Sequence, residues 1–230
     1  MDNVTCLIPF INEKNRPLAV LEIVTKIPQI NQIVCIDGSE DEGTSGLIKQ
    51  RYPEVSLIKQ TGKKGKSEAI KLGLPITYND IVLLLDADIV GLREDSIKKA
   101  ILYFTNHKSV GMILLKRENT HFIEQLLRGN ILVIGERVLW KSDLEKVFEE
   151  FNPKGYQLEI AINHYMMVHG KKTLFCGHRI YKPPKFKKMG FFKGIYKDIG
   201  MQFEILSLFG LTDWVKQYLY FGKEEAVIES

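Results

Sequence analysis

Ile81-Val82-Leu83-Leu84-Leu85 is an unbroken apolar run that stops at two carboxylates, Asp86 and Asp88. A run this short, with charge at its far end, reads as a strand buried on both faces. Such a strand needs partner strands beside it and helices over it. A chain of 230 residues can supply both within one domain. Ligands of open α/β sheets bind at the carboxyl ends of the strands. Two acids spaced i, i+2 at that edge repel each other unless a cation lies between them. Hard oxygen donors suit Mg²⁺ or Mn²⁺ carrying a phosphate ligand. A strand that merely ends in a polar turn is the plain alternative at this point.

The rest of the chain alternates in the way such a sheet requires. Val4–Phe10 reads as a first strand, followed by a helix ending near Lys26. Gln32–Ile36 is a second strand, closed by Asp37-Gly38-Ser39. A helix over Gly43–Arg51 stops before Pro53, and Val55–Lys59 is a third strand. A helix after Gly65 leads to the fourth strand at Ile81–Leu85. Asp95–Asn106 looks helical and Val110–Leu115 extended, while Leu132–Leu139 fits either state. Ser142–Phe151 and Leu158–His169 have helical periodicity, and Thr173–Cys176 reads as a strand. Strands alternating with helices predict a Rossmann-like, doubly wound, mostly parallel sheet. The segment 190–222 predicts one or two amphipathic helices broken near Gly210.

Charge adds a second constraint. The formal net charge is only +4, but residues 171–197 hold nine Lys or Arg and no acid. Phe186, Phe191, Phe192 and Tyr196 interleave with them. Nothing resembles a nucleic-acid module, so no nucleic-acid partner is expected and anionic lipid or phosphate is the better match. No apolar run approaches the length of a membrane span. Met1-Asp2-Asn3-Val4 carries no basic leader, and Cys6, Cys35 and Cys176 lack metal spacing. These features predict a cytoplasmic protein with buried, reduced thiols.

The strand ends carry the chemistry. Pro9-Phe10-Ile11-Asn12-Glu13 closes the first, and Asp37-Gly38-Ser39 the second. A carboxylate just past a strand can accept hydrogen bonds from a ribose or a base. Gly62-Lys63-Lys64-Gly65-Lys66-Ser67 is flexible and basic, suited to a phosphate. Its spacing is not that of a Walker A loop, and no Gly-x-Gly-x-x-Gly follows the first strand.

In order, Ile8-Pro9-x-x-Asn12-Glu13, Ile36-Asp37-Gly38-Ser39, Gly65-Lys66-Ser67-x-Ala69 and Asp86-Ala87-Asp88 resemble the nucleotide-sugar half of a GT-A glycosyltransferase of family 2. The resemblance covers residues 4 to about 92. It implies that Pro9, Glu13 and Asp37 hold the nucleoside, that Lys66 lies near the diphosphate, and that Asp86 and Asp88 form the DXD pair. Asp88 would bind the metal more directly. Gly135-Glu136-Arg137, Gly155-Tyr156-x-x-Glu159 and Gly177-His178 resemble the acceptor half of the dolichol-phosphate mannosyltransferase and glucosyl-3-phosphoglycerate synthase groups.

That second resemblance makes Glu159 the candidate catalytic acid–base group beside Asp88, and His178 a second metal ligand. It points to Glu136, Arg137, Arg179 and Lys182 as acceptor contacts. The implied reaction moves a sugar from a UDP- or GDP-type donor, with Mg²⁺ or Mn²⁺, to a polyprenyl phosphate or other membrane lipid. Transfer to a soluble phosphorylated acceptor such as phosphoglycerate is the alternative. A non-catalytic nucleotide-sugar-binding protein is a rival from another class. The expected layout is a GT-A domain over 1–180, split into a donor half (1–92) and an acceptor half (93–180), and a basic, aromatic helical extension over 181–230. That extension would dock at the inner membrane face or in a homodimer seam.

Overall fold

The computed structural model describes residues 3–117, 132, 134–178 and 207–221. Its strands are β1 (Val4–Phe10), β2 (Ile30–Asp37), β3 (Ser56–Lys59), β4 (Ile81–Leu84), β5 (Val110–Arg117), β6 (Arg137–Trp140) and β7 (Lys172–His178). They form one sheet in the order β3-β2-β1-β4-β6-β5-β7. The helices are α1 (Arg16–Val24), α2 (Gly43–Arg51), α3 (Lys66–Gly73), α4 (Glu94–Asn106), α5 (Lys141–Phe151) and α6 (Leu158–Val168), with α7 over 207–221.

Side-chain alternation divides the core between the two faces of the sheet. Cys6, Ile8, Leu83 and Leu85 pack with Leu21 and Val24 of α1 and Ile97, Ile101 and Phe104 of α4. Leu7, Ile36, Val82 and Leu84 pack with Ile70 of α3, Leu144 and Val147 of α5, and Ala161 and Ile162 of α6. With both faces covered, β4 has no solvent side, which is why its sequence does not alternate.

The first four strands are in parallel register, so their carboxyl ends share one edge. β1 runs parallel to β2 and β4, with Phe10 opposite Asp37 and Leu7 opposite Leu84. β3 continues the parallel set, with Lys59 opposite Asp37. β2 starts at Ile30, two residues before the expected Gln32, because Ile30 pairs with Val4 across a register shift. The buried Gln32 is satisfied: its Oε1 accepts a hydrogen bond from Thr5 Oγ1 at 2.7 Å.

The ambiguous segment resolves into β6, which pairs antiparallel with both β4 and β5. β7 is parallel to β5 and longer than its apolar stretch, extending from Lys172 to His178 by pairing. Two reversals around β6 return β5 and β7 to the direction of β4, so His178 ends its strand on the same edge as Asp86.

Helix α7 docks on α6. Phe221 and Gln217 are buried, and Phe209 and Trp214 pack against the second core cluster. His164 of α6 stacks on Phe209 with ring centroids 4.0 Å apart, and its Nδ1 lies 2.7 Å from Asp213 Oδ1. Gly210 has φ +79°, but the helix runs through it without interruption over 207–221, so the expected break is not there. The remainder of the tail expectation, over 190–206, lies outside the described residues. No helix among the described residues is long and apolar enough to cross a membrane. Cys6, Cys35 and Cys176 are buried free thiols, and burial pushes Cys35 up to about 12.

Candidate active site

Four parallel strands bring Pro9, Asp37, Lys59 and Asp86 to one edge. The turn after β1 is unusually shaped: Asn12 and Lys14 have φ of 54° and 50°. Left-handed non-glycine residues cluster where backbone is held for a ligand. Asn12 N donates to Ser39 Oγ at 2.8 Å, tying the first two motifs together. Glu13 pairs with Arg16 at 2.8 Å just before α1.

Asp37 is buried and well supplied with donors. Its Oδ1 accepts from Ser39 N at 2.7 Å, and its Oδ2 from Ser45 Oγ and from Lys59 Nζ, the latter at 3.0 Å. Burial works to raise its pKa, but the hydrogen bonds from Ser45, Ser39 and Lys59 outweigh it and hold Asp37 below its usual value. Lys59 was not expected at this edge. Its signal was its place at the end of the third strand, opposite Asp37.

Asp86 and Asp88 follow β4, both partly exposed. Lys66 opens α3, with its Nζ 2.5 Å from Asp86 Oδ1 and 2.5 Å from Glu159 Oε1. One ammonium thus joins the candidate donor carboxylate to the candidate acid–base group. Gly135 makes room for this arrangement: a Cβ there would lie 2.5 Å from Lys66 Nζ and 2.6 Å from Asp86 Oδ2.

Two motifs interlock to hold Lys66 in place. Ser67 N and Oγ both donate to Gly155 O, at 3.1 and 2.9 Å, and Gly155 N donates to Glu68 Oε2 at 3.0 Å. A Cβ on Gly65 would come within 3.2 Å of Gly155 Cα, so the start of α3 and the lead-in to α6 touch through two glycines.

Glu136 and Arg137, expected at the acceptor, are both fully buried. Arg137 Nε donates to Ile134 O at 3.1 Å and its Nη2 to the same oxygen. Its Nη1 reaches Asn163 Oδ1 at 3.1 Å and Glu159 O at 3.5 Å. These bonds turn the guanidinium into the protein, away from any acceptor at the surface. Burial pulls it down to about 10, although Glu159, Glu136 and Asp86 all work to raise it. Arg179 and Lys182 lie outside the described residues, as does the side chain of His178.

Asp86 and Asp88 fit a hard divalent cation. They offer carboxylate oxygens, and the ammonium on Asp86 marks the spot as one that draws positive charge. Among the described residues no group of three His, Cys, Asp or Glu could hold a metal. Mg²⁺ is commonly held by one or two protein carboxylates, with water and substrate phosphates completing the shell.

Residues 5–175 match the family described as Glycosyl transferase family 2. A dolichyl-phosphate beta-glucosyltransferase of Trichomonas vaginalis is 26% identical over 200 residues, covering 77% of this chain and 53% of that protein. The chain therefore spans about half the length of that relative. In three dimensions it resembles glucosyl-3-phosphoglycerate synthase from Mycobacterium tuberculosis in complex with Mn²⁺, UDP and glucosyl-3-phosphoglycerate. The TM-score is 0.67 at 15% identity, over 98% of this chain and 82% of that one. A mannosyltransferase from Pyrobaculum calidifontis in complex with GDP-Man and Mn²⁺ gives a TM-score of 0.57 at 16% identity, over 74% and 53% of the two chains. The expected GT-A architecture is the one observed, and the chain belongs to glycosyl transferase family 2.

Proposed function

We propose that this glycosyltransferase moves a sugar from a UDP- or GDP-type donor to a polyprenyl phosphate or related lipid phosphate. The observation that carries the reading is the Lys66 bridge, 2.5 Å to Asp86 and 2.5 Å to Glu159. It supports this reading by bringing one ammonium against the two carboxylates to which we assign metal binding and proton acceptance.

The roles follow from the chemistry at each atom. Pro9, Glu13 and Asp37 hold the nucleoside at the ends of β1 and β2. Asp86 and Asp88, with His178 at the end of β7, hold Mg²⁺ or Mn²⁺. The metal, when bound, offsets the charge that develops on the departing diphosphate. Lys66 adds a second positive charge on the same side. Glu159, whose Oε1 meets Lys66, accepts a proton from an acceptor hydroxyl, or orients an acceptor that has none to give. Arg179 and Lys182 hold the acceptor phosphate.

Two features favour a lipid. The basic run over 171–197 suits anionic headgroups. On α7, Leu211, Val215, Tyr218 and Leu219 are exposed at helical spacing, opposite the face that docks on α6. The likeness to a synthase bound to glucosyl-3-phosphoglycerate favours a second reading, a soluble phosphorylated acceptor. The test is product formation from UDP-glucose, UDP-galactose or GDP-mannose with Mn²⁺, offered polyprenyl phosphate in detergent or 3-phosphoglycerate. Glycosylated lipid supports the first reading and glycosylated phosphoglycerate the second. Donor binding without transfer or hydrolysis would favour a binding protein.

A further inference from the structure

Arg137 is the largest fully buried side chain among the described residues. A cation there is expensive to desolvate unless its donors are satisfied and negative charge lies nearby. Both conditions hold. Nε and Nη2 donate to Ile134 O, and Nη1 to Asn163 Oδ1. Its carboxylate neighbours are Asp86, Glu136 and Glu159, the acids around the candidate site. None of its direct hydrogen bonds to Ile134, Asn163 or the Glu159 carbonyl ends on a carboxylate, so simple ion pairing does not explain the geometry.

Those bonds join two walls of the site. One wall is the segment leading into β6, which carries Gly135 against Lys66 and Asp86. The other is α6, whose first turn carries Glu159. Arg137 bonds to Ile134 O on the first wall and to Asn163 Oδ1 and Glu159 O on the second. Asn163 Nδ2 returns the link by donating to Leu132 O at 2.9 Å. The loop and the helix are thus clasped at two points directly behind the Lys66–Glu159 contact.

We propose that Arg137 is a positioning residue, a buried clasp that sets the separation between the Gly135 wall and α6 and so fixes where Glu159 meets Lys66 and Asp86. The planar fork is essential to this role. Lysine keeps the charge, but its single nitrogen does not reproduce the fixed fork that reaches Ile134 O through Nε and Nη2 and Asn163 Oδ1 through Nη1. The proposal rests on the glycosyl-transfer reading for its kinetic consequence, not for its geometry.

The test uses Arg137→Lys, which keeps the charge, and Asn163→Ala, which opens the other end of the clasp. UDP and GDP, each with Mn²⁺, are the calorimetric probes, since their binding does not require Glu159. Both variants should bind the nucleotide within threefold of wild type but turn over more slowly, by about 100-fold with a hydroxyl acceptor such as 3-phosphoglycerate, the scale a misplacement of about 1 Å can reach, and by up to about tenfold with a lipid phosphate, which needs no base. Crystal structures of the same variants should show the Lys66–Glu159 contact lengthened. Wild-type turnover with that contact retained would overturn the proposal. So would an equal loss of nucleotide affinity and turnover, which signals a general disturbance. If Arg137→Lys does not fold, Asn163→Ala decides alone. If wild type transfers no sugar from any donor, the glycosyl-transfer reading fails, and the crystallographic comparison still decides the clasp.

Discussion

Lys66 Nζ and Glu159 Oε1 lie 2.5 Å apart although 93 positions separate them in the chain. The contact joins the residue that opens α3 to one in the first turn of α6.

Glu159→Gln separates the two acceptor classes. A hydroxyl acceptor must lose its proton, so turnover should fall about 100-fold or more. A phosphate monoester is already mostly ionised at neutral pH and needs no base. With a lipid phosphate the fall should stay within about tenfold. Steady-state kinetics with both acceptors reads this directly. A large loss on lipid phosphate would show that Glu159 does more than accept a proton.

Asp88→Ala should fold, because Asp88 is partly exposed in a turn beyond β4. Turnover should drop by about 100-fold, roughly 2.7 kcal/mol, with Mn²⁺-dependent nucleotide binding lost. Titration of UDP or GDP with and without Mn²⁺ checks it. Wild-type turnover would remove the DXD assignment.

Asp37→Asn should weaken both the fold and the nucleotide site. The folded-state pKa of Asp37 is depressed, so its contribution to stability is complete above the ordinary value near 3.9. It is lost as pH falls through the depressed value. Wild type should therefore lose melting temperature below about pH 4 more steeply than Asp37→Asn. At neutral pH the variant should be destabilised by about 1–3 kcal/mol, since Ser39 N and Ser45 Oγ lose a charged acceptor. Unchanged affinity for free UDP and GDP would remove Asp37 from the nucleoside site.

Gly135→Ala should strike the site harder than the fold. The added methyl meets the mobile end of Lys66 and one oxygen of Asp86. Overpacking of this kind costs about 1–3 kcal/mol, and a flexible lysine keeps it near the lower end. Turnover should fall about tenfold or more while the melting temperature moves only a few degrees. A variant with full activity would show that the Lys66–Asp86 pair has no part in the reaction.

Leu211→Ser with Leu219→Ser tests the outer face of α7. These residues are 65% and 57% exposed, so the change should alter stability by less than about 0.5 kcal/mol. Sedimentation with phosphatidylglycerol vesicles at low salt should fall sharply in the variant. Equal binding by variant and wild type would place any membrane contact elsewhere.

The local pattern of the chain carried the donor half almost completely. Buried parallel strands read as continuous apolar runs, so the run before Asp86 announced itself. Each motif at a strand end lies next to its strand in sequence, so Pro9, Asp37 and Asp86 could be assigned to one edge once the strands were taken as parallel. What local pattern does not encode is direction, register and partnership across long separations. The Leu132–Leu139 segment is apolar whichever way it runs, and only its place between β4 and β5 makes it antiparallel. Arg137 reads as an acceptor contact beside an acid; packing of α6 against the lead-in to β6 buries it. The meeting of Lys66 with Glu159 depends on the contact of Gly155 with Gly65, Ser67 and Glu68, between segments nearly ninety residues apart. Apolar periodicity determines which face of an element is buried. The order of strands in the sheet determines which buried faces, and which polar edges, come together.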